Sequence, residues 1–362
     1  MTILMPKPKV VSIFTTTEGH WSISQAICNY LEKKGIKVYV NKHEGFEFKT
    51  YRQIYKHRPE LFHYFYQLSQ NRLAEYMTKR YSQYNYQQAL INQVATQKPD
   101  AIISCWFFLT PILQHLGETE KKPVFNVVAN PRTIHPMEIT PHTQNIVFDK
   151  HAAKSVTGFT EEKLQTYPLG WFVREEFEKK YDREKLREFL FIRPDEMVLL
   201  IQGGSEGTNR TLKILKNLAE NPPENTHILF IAGRNKQMYN KASKYANSQI
   251  EVLGYTNRMA TYLQTADLVI GKAGPNVLFE SVATHTPFLA TNHIAGQEDG
   301  NLDIIRDYKV GFVEEEPDIA TELIQKLIRE PQRLVDLKLH IEKLAAYNHQ
   351  SKIKLLELLN QK

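Results

Sequence analysis

The same local pattern occurs twice in this chain: a short apolar run, a loop containing glycine, and a stretch with helical periodicity. The first copy covers a strand-like run at 10–14 and a helical stretch at 22–34. The second covers a strand at 198–201, a loop at 202–207 and a helix at 208–218. Because this pattern opens doubly wound domains, we expect an α/β protein of two Rossmann-like domains facing each other across a cleft.

Further short apolar segments fit this scheme. They predict strands at 37–40, 100–105, 124–128, 227–232, 250–252, 268–271 and 288–290, with helical stretches between most of them. Such spacing favours parallel sheets. The length of 362 residues suits two domains. We expect their boundary within 171–180, where an aromatic segment meets a charged run, and an amphipathic helical tail over 319–359.

Composition excludes several classes of protein. Hydrophobic residues make up 42% and charged residues 24%, which excludes a disordered or collagen-like chain. The longest apolar runs are shorter than the roughly 18 residues of a spanning helix. Cys28 and Cys105 do not suggest a disulfide framework or a zinc site. With no signal-peptide pattern at the N-terminus, we expect a cytoplasmic protein with reduced thiols.

Residues 46–86 are rich in aromatic side chains interleaved with Lys and Arg. Two interpretations stay open: an aromatic core beside a solvated face, or a membrane-interface surface where rings lie among headgroups and cations meet anionic lipid. The net charge of +6 fits ordinary solubility or attraction to anionic lipid or phosphate. Nucleic-acid stacking would use the same residue types, but no other feature supports it.

Ligands of open parallel sheets bind beyond the carboxyl ends of the strands, so the loops there are the candidate sites. The loop after the first strand carries Glu18 and His20. His20 is the leading candidate for a general base, because its ordinary pKa lies near neutrality. Glu18 and Glu138 are its rivals, and a surface histidine is the alternative. The loop at 129–136 contains Asn130 and His135.

In the second half, two loops would suit a diphosphate. Gly204 and Ser205 would bring backbone N–H groups close to a phosphate, or simply form a tight turn. Gly274 allows a sharp exit from a strand, and Pro275 suits the first position of a helix whose N-terminus carries partial positive charge. Lys272 would add a full charge.

Three further side chains complete the candidate site. Glu280 would accept from two ribose hydroxyls, or be an exposed helix carboxylate. Gln297 and Glu298 offer an amide beside a carboxylate, which suits a sugar or a polar surface turn. Arg174, near the domain boundary, would reach a phosphate or form a linker salt bridge. No Asp-x-Asp occurs in the chain, so clustered carboxylates for Mg²⁺ or Mn²⁺ are not evident.

The segment 272–301, with Lys272-Ala273-Gly274-Pro275, Glu280 and the run from Ala295 to Asn301, resembles the donor-sugar region of a GT-B glycosyltransferase family. That family contains monogalactosyldiacylglycerol synthases, bacterial diacylglycerol glucosyltransferases and, more distantly, the N-acetylglucosaminyltransferase that forms lipid II. Segments 19–20, 127–136, 170–174 and 202–205 resemble other parts of the family in the same order. The chain departs from it with Glu18 in a usually glycine-rich loop, Asn130 near a usual acidic residue, and Asn276 after Gly-Pro.

The resemblance implies an inverting, metal-independent transfer of a hexose from a UDP-sugar to a membrane lipid such as diacylglycerol, with no cofactor. Residues 1–175 would bind the acceptor, 176–345 the nucleotide sugar, and the helix 346–362 would pack back on the first domain. It implies donor-binding roles for Arg174, Gly204, Ser205, Lys272, Gly274, Pro275, Asn276, Glu280, Gln297 and Glu298, acceptor-side positions for Asn130 and His135, and base roles for His20 and Glu18.

By this resemblance the protein would lie peripherally on the inner face of an anionic membrane. Three alternatives stay open. The same fold would serve a polyprenyl-diphosphate-sugar or a soluble acceptor, the chain would bind nucleotide sugars without transferring them, or it would be a nucleotide-sugar epimerase of similar architecture.

Overall fold

The computed structural model describes residues 8–45, 64, 66–160, 162–203 and 209–361. The chain divides into two compact units. The first comprises Met1–Arg174, Ile294–Gly300 and Tyr347–Lys362, and the second comprises Glu175–His293 and Asn301–Ala346. Each unit contains its own parallel sheet.

The first unit is built on a six-stranded parallel sheet in the order β2-β1-β3-β4-β5-β6. Its strands are β1 Val10–Thr15, β2 Lys37–Lys42, β3 Ala101–Ser104, β4 Val124–Val127, β5 Gln144–Val147 and β6 Gln165–Pro168. Its helices include α1 Glu18–Lys33, α2 Arg72–Gln97, α3 Thr110–Glu120 and α4 Lys150–Ser155.

The second unit repeats this architecture with the order β12-β11-β10-β7-β8-β9. Its strands are β7 Met197–Gln202, β8 Thr226–Ile231, β9 Ile250–Leu253, β10 Leu268–Lys272, β11 Phe288–Asn292 and β12 Gly311–Val313. The helices after the boundary are α5 Glu175–Glu178, α6 Arg183–Phe189, α7 Asn209–Glu220, α8 Lys236–Ala242, α9 Met259–Thr265, α10 Pro275–Ala283, α11 Asp299–Asp307, α12 Pro317–Arg329, α13 Gln332–Val335 and α14 Lys338–Asn360. The first two residues of α11, and α14 from Tyr347 onward, group with the first unit. These two parallel sheets with their helices confirm the predicted α/β class with two Rossmann-like domains.

The apolar runs of the sequence form the centre of each sheet. In β1, Val11, Ile13 and Phe14 are fully buried. The predicted inner face of α1 is also buried, at Ile23, Ile27 and Leu31. Continuous apolar strands of this kind are covered on both faces in parallel sheets, which explains why the residue pattern identified them.

Two expectations about element bounds were wrong. Helix α1 begins at Glu18, four residues earlier than expected, so Glu18 and His20 lie in its first turn and not in a loop. The tail forms three helices, α12, α13 and α14, because Pro331 interrupts the periodic stretch. Strands β5, β6 and β12 were not predicted from the sequence.

The last part of α14 packs on the segment that precedes the unit boundary. Asn348 Oδ1 accepts from the backbone N–H of Trp171 at 3.0 Å, and Ser351 Oγ donates to the Trp171 carbonyl at 3.1 Å. Lys352 Nζ donates to the Val173 carbonyl at 2.9 Å. These bonds hold the 171–173 segment immediately before Arg174.

Gly170 makes this packing possible, and its replacement by alanine is predicted to destabilise the protein. Its φ of +94° favours glycine, and a Cβ there would lie 3.1 Å from both Asn348 Cα and the Tyr347 carbonyl oxygen. We expect Gly170→Ala to lower the free energy of unfolding by about 2 kcal/mol or more. Urea unfolding measures this loss.

Gly158→Ala is the matched control, because nothing lies within 4 Å of a Cβ built at Gly158. An equal loss of stability in the two variants would contradict the packing explanation.

Candidate active site

The carboxyl ends of β1 and β4 bring the two predicted loops to one edge of the first sheet, beside the turn that follows β3. His20 lies in the first turn of α1, and its Nδ1 is 2.6 Å from the carbonyl oxygen of Cys105, just after β3. Because a carbonyl oxygen only accepts, Nδ1 carries the hydrogen and Nε2 of the neutral ring is left as an acceptor. Burial lowers the pKa of His20 to about 4, although the hydrogen bond to Cys105 opposes this shift. At neutral pH the ring is therefore neutral, as a general base must be.

Glu18 has an unusual backbone conformation for a charged residue. Its φ is +53°, in the left-handed region that favours glycine, and its side chain is exposed. The position therefore has the geometry of a glycine although the sequence places a carboxylate there. This observation explains how the chain keeps the turn without the family's glycines.

The two residues before Glu18 carry a signal that sequence reasoning missed. Thr16 Oγ1 and Thr17 Oγ1 are buried and have no hydrogen-bond partner in the part of the chain that the structure describes. Buried hydroxyls are usually bonded, so exceptions beside a sheet edge are candidate ligand contacts. The residue types alone gave no such indication, because threonines are common in loops.

After β4, the half-buried Asn130 pairs with the buried Glu138. Asn130 Nδ2 donates to Glu138 Oε1 at 2.5 Å, and the backbone N–H of His135 donates to the same oxygen at 3.3 Å. Glu138 Oε2 is buried and has no hydrogen-bond partner among the residues described. Burial raises the pKa of Glu138 to about 7, and the bonds from Asn130 and His135 oppose the shift. A carboxyl group is thus held beside Asn130, the position where relatives often have an acidic residue.

A buried amide positions this carboxyl group. Asn126, in β4, donates from Nδ2 to the Glu138 carbonyl and to Asn145 Oδ1, both at 2.7 Å. Asn126 therefore holds the short turn that carries Glu138. It also donates the hydrogen bond that Asn145 accepts in the neighbouring strand β5.

His135 is engaged at both ring nitrogens. Its Nδ1 accepts from the backbone N–H of Met137 at 3.2 Å, so Nε2 carries the hydrogen and donates to Ser69 Oγ at 3.1 Å. Burial lowers the pKa of His135 to about 4. The ring caps the Pro136–Glu138 turn and contacts Tyr66 edge-on. Its acceptor-side role stays a prediction, but a role as proton acceptor does not fit this geometry.

A buried ion pair holds the same loop from the other side. Arg132 donates through Nε and Nη2 to Asp149 Oδ2 at 3.3 and 3.0 Å. The side chains are 8% and 6% exposed, and Asp149 Oδ1 also caps α4 through the Ala152 N–H. Removal of either side chain would leave the other charge buried without its counter-ion, which is strongly destabilising. The ion pair therefore holds the 129–136 loop in place.

In the second unit, the turn after β10 has the predicted form. Lys272 is the last residue of β10, Gly274 is the N-cap of α10, and Pro275 is the first residue of that helix. Asn276 lies in the first turn and Glu280 in the second, both half-buried. The orientation leaves the partial positive charge of α10 at the carboxyl edge of the second sheet.

Asn301 positions this turn, although the sequence gave it no role of its own. It is buried, and its Nδ2 donates to the Ala273 carbonyl at 2.7 Å. Gly204 and Ser205, in the loop that follows β7, lie outside the described residues.

Gln297 and Glu298 lie in a tight turn that groups with the first unit. Glu298 is buried, and its Oε2 accepts from the backbone N–H of Ile294 at 2.8 Å. Gly296, with φ +84°, donates its N–H to Asp299 Oδ1 at 2.8 Å. Part of the Glu298 carboxylate therefore holds the loop together, which the sequence did not indicate, whereas Gln297 is half-buried. Arg174 is also half-buried, as the last residue of its segment of the first unit.

A cavity of about 550 Å³ lies at the carboxyl ends of β8 and β9. Its lining includes Gly233 and Arg234, after β8, and Gly254 and Tyr255, after β9. The Arg234 guanidinium lies 4.3 Å from the centre of the Tyr255 ring, which is 64% exposed. Sequence reasoning missed this cavity, although both loops follow strands that it had predicted.

Neither a metal cluster nor a spanning helix is found within the described ranges. No group of three or more His, Cys, Asp or Glu there would hold a metal ion. No helix there is both long and apolar enough to cross a bilayer. Metal independence stays a prediction.

Two family models match successive parts of the chain. Residues 23–170 match monogalactosyldiacylglycerol (MGDG) synthase, and residues 198–330 match the glycosyltransferase family 28 C-terminal domain. A curated relative, the processive diacylglycerol beta-glucosyltransferase of Staphylococcus epidermidis, is 25% identical over 342 residues, covering 87% of this chain and 83% of that protein.

Two solved structures share the fold. Acinetobacter baumannii MurG superposes with a TM-score of 0.62 at 15% identity, covering 98% of this chain and 99% of that one. The UDP-GlcNAc 2-epimerase from Neisseria meningitidis, bound to UDP-GlcNAc, gives 0.64 at 14% identity, covering 97% and 99%.

The fold and the family matches together define a GT-B glycosyltransferase, a hexosyltransferase by its relatives. Within that class the chain is similar to monogalactosyldiacylglycerol synthases and to bacterial diacylglycerol glucosyltransferases, which confirms the resemblance drawn from the sequence.

Proposed function

We propose that this protein transfers glucose from UDP-glucose to diacylglycerol at a membrane surface, by an inverting displacement without a metal ion. The observation that carries the proposal is the oriented neutral imidazole of His20 at the carboxyl edge of the first sheet. The glucose and the lipid come from the name of the staphylococcal relative. The MGDG synthase match makes UDP-galactose the competing donor.

In this mechanism His20 Nε2 accepts the proton of the acceptor hydroxyl. The hydroxyl oxygen attacks the anomeric carbon, the bond from that carbon to the UDP oxygen breaks, and UDP leaves on the opposite face. The Cys105 carbonyl accepts from Nδ1–H throughout and so stabilises the imidazolium that forms. One displacement inverts the anomeric configuration.

The leaving diphosphate needs positive charge at the donor site. The N-terminus of α10, beginning at Gly274 and Pro275, supplies backbone N–H groups, and Lys272 supplies a full charge. Glu280, one turn further, would accept from the ribose hydroxyls, and Gln297 would contact the sugar. The diphosphate would also be contacted by Arg174, Gly204 and Ser205.

The cavity beside Tyr255 is proposed as the nucleobase site. It lies at the same sheet edge as Lys272 and Gly274, and an exposed aromatic ring offers a stacking surface for uracil. Stacking of one base contributes about 1–3 kcal/mol. Tyr255→Ala is therefore expected to weaken UDP binding by about ten-fold or more, measured by calorimetry.

Tyr181→Ala serves as the control, since Tyr181 is 49% exposed in the same unit but does not line the cavity. Equal UDP affinity in wild type and Tyr255→Ala would show that the nucleobase does not bind in this cavity.

Product stereochemistry tests the proposed chemistry. The glycolipid formed from α-linked UDP-glucose should be the β-anomer by NMR, and its rate of formation should be unchanged by EDTA. An α-anomer, or a rate abolished by EDTA and restored by Mg²⁺, would contradict the mechanism. Conversion of the UDP-sugar to an epimer with no acceptor present would replace it with epimerase chemistry.

A further inference from the structure

The loop that leads into α11 is held together by its own hydrogen bonds. We call Ile294–Gly300 the sugar loop, because it carries Gln297, the side chain proposed to contact the sugar. The backbone N–H of Glu298 donates to the Ile294 carbonyl at 2.8 Å, and Glu298 Oε2 accepts from the Ile294 N–H at 2.8 Å. Gln297 lies between these two residues, so its position follows that of the whole loop.

The end of the sugar loop is bonded to a distant part of the chain. Gly300 is the second residue of α11, where backbone N–H groups have no partner within the helix. Its N–H donates to Thr133 Oγ1 at 2.7 Å, across 167 residues of sequence. Thr133 belongs to the 129–136 loop after β4, which also carries Asn130 and His135. One hydrogen bond therefore joins the sugar loop to the loop of the acceptor-side candidates.

The two loops approach too closely for any side chain at Gly300. A Cβ built there would lie 2.6 Å from Arg132 Cβ and 2.9 Å from the Thr133 backbone nitrogen. The φ angle of Gly300 is not positive, so its backbone conformation is open to other residues. Glycine is required here by the close approach of the two loops and not by the backbone conformation.

Thr133 is itself held in place. The buried ion pair of Arg132 with Asp149 fixes the residue before it. Tyr66 Oη donates to the Thr133 carbonyl at 3.4 Å, and the Thr133 side chain is half-buried. A hydroxyl on a support of this kind has a defined position and can order a second loop.

We propose that Thr133 is a positioning residue for the donor sugar: its hydroxyl holds the sugar loop, and through the loop it sets the position of Gln297. The inference rests on the proposed function, in which Gln297 contacts the sugar. Tyr255 and Lys272, proposed for the nucleobase and the diphosphate, belong to the second unit, whereas the sugar loop groups with the first. Loss of the bond from Gly300 should therefore weaken the binding of the sugar and leave the binding of UDP unchanged.

Calorimetry with the full chain tests the proposal, with UDP, UDP-glucose and UDP-galactose as the probes. Thr133→Val keeps the shape of the side chain but removes the oxygen that accepts from Gly300. The loop then occupies its binding position for a smaller fraction of the time, and the apparent affinity falls by that fraction. We expect the Kd of the UDP-sugar to rise about three- to ten-fold, the range of one hydrogen bond, while the Kd of UDP stays at the wild-type value.

Two further variants separate the hydrogen bond from the packing around it. Serine keeps the accepting oxygen, so Thr133→Ser should bind the UDP-sugar as wild type does. Gly300→Ala should raise the Kd of the UDP-sugar about ten-fold, because the added Cβ displaces the loop.

Matched controls lie elsewhere in the first unit. Thr157→Val removes an exposed hydroxyl that donates to the Lys154 carbonyl, and a Cβ built at Gly158 has nothing within 4 Å. Thr157→Val and Gly158→Ala should both bind all three probes as wild type does.

A double-mutant cycle shows whether Thr133 acts through Gln297. In a Gln297→Ala background, Thr133→Val should change the affinity for the UDP-sugar by less than about two-fold, because the contact that the loop positions is already absent. The full loss in that background would overturn the proposal, as would a wild-type Kd of the UDP-sugar in Thr133→Val. An equal loss of affinity for UDP and for the UDP-sugar would also overturn it, because that result indicates a general structural role.

Turnover separates the failure of this proposal from the failure of the proposed function. Binding of a UDP-sugar that depends on Thr133, by a protein that transfers sugar to no lipid, would leave the positioning role standing and remove the function. Transfer of glucose to diacylglycerol by Thr133→Val with the wild-type KM for UDP-glucose would do the reverse.

Discussion

Replacing His20 with alanine is expected to lower kcat by about 10²–10⁴-fold, the range that a positioned general base contributes. The bond from Nδ1–H to the Cys105 carbonyl orients the ring, so the loss should fall on the chemical step and leave the affinity for UDP unchanged. His115→Ala is the control, because His115 is exposed on α3. Wild-type turnover in His20→Ala would exclude His20 as the base.

The pH profile of the same reaction distinguishes His20 from its rival Glu138. A base with a pKa of about 4 keeps its activity down to acidic pH, whereas a base with a pKa of about 7 loses it below neutrality. We predict that kcat/KM stays flat from pH 8 to about pH 5. A decline centred near pH 7 that disappears in Glu138→Gln would transfer the role to Glu138.

The second large effect is on stability, from Glu138→Gln. The pKa of Glu138 is raised from 4.5 to about 7 in the folded protein, so between these values the folded state holds a proton that the unfolded state has lost. Wild type therefore loses stability as pH rises through this window, by about 3 kcal/mol at one to one-and-a-half kcal/mol per pKa unit. Glutamine resembles the protonated acid in shape and keeps an oxygen for Asn130 and His135, so the variant avoids the loss.

Urea unfolding at pH 4.5 and pH 8 measures this difference. Wild type and Glu138→Gln should be similar in stability at the lower pH, and the variant should be more stable at the higher pH. His20 and His135, whose pKa values are lowered, cost stability as pH falls from about 6.5 to 4 in both proteins, so their effect cancels in the comparison. The same difference at both pH values would show that folding does not raise the pKa of Glu138.

The sequence predicted those parts of the fold that bury continuous apolar runs. β1 and β7 were identified for that reason, whereas β5 and β6 were not, because each begins with two polar residues and contains no continuous apolar run. β5 is nevertheless buried, since Asn145 accepts from Asn126 in the neighbouring strand. The polar groups of β5 are buried only because residues of the neighbouring strand β4 form hydrogen bonds with them. Those residues are distant in the sequence, so a local pattern does not reveal the pairing.

The same limit applies to the site. Gly274 and Pro275 were predicted correctly as a helix start, because local backbone chemistry decides it. The pairing of Asn130 with Glu138 depends on a turn held by Asn126, and the stacking of Arg234 on Tyr255 depends on two loops of different strands. Contacts of this kind come from tertiary structure. The sequence did offer an indication of a ligand site at Tyr255, because this residue lies in the loop after the predicted strand at 250–252. That loop was not among the candidate loops chosen from the sequence.

Release of UDP by the purified full-length protein is the most direct test of the central claim. UDP-glucose and UDP-galactose are supplied with and without vesicles containing diacylglycerol, and the lipid product is identified by mass spectrometry. The account predicts UDP release from UDP-glucose that requires diacylglycerol and yields a glucosyl lipid. UDP binding without release on any of these lipids, or release that needs no acceptor lipid, would contradict it.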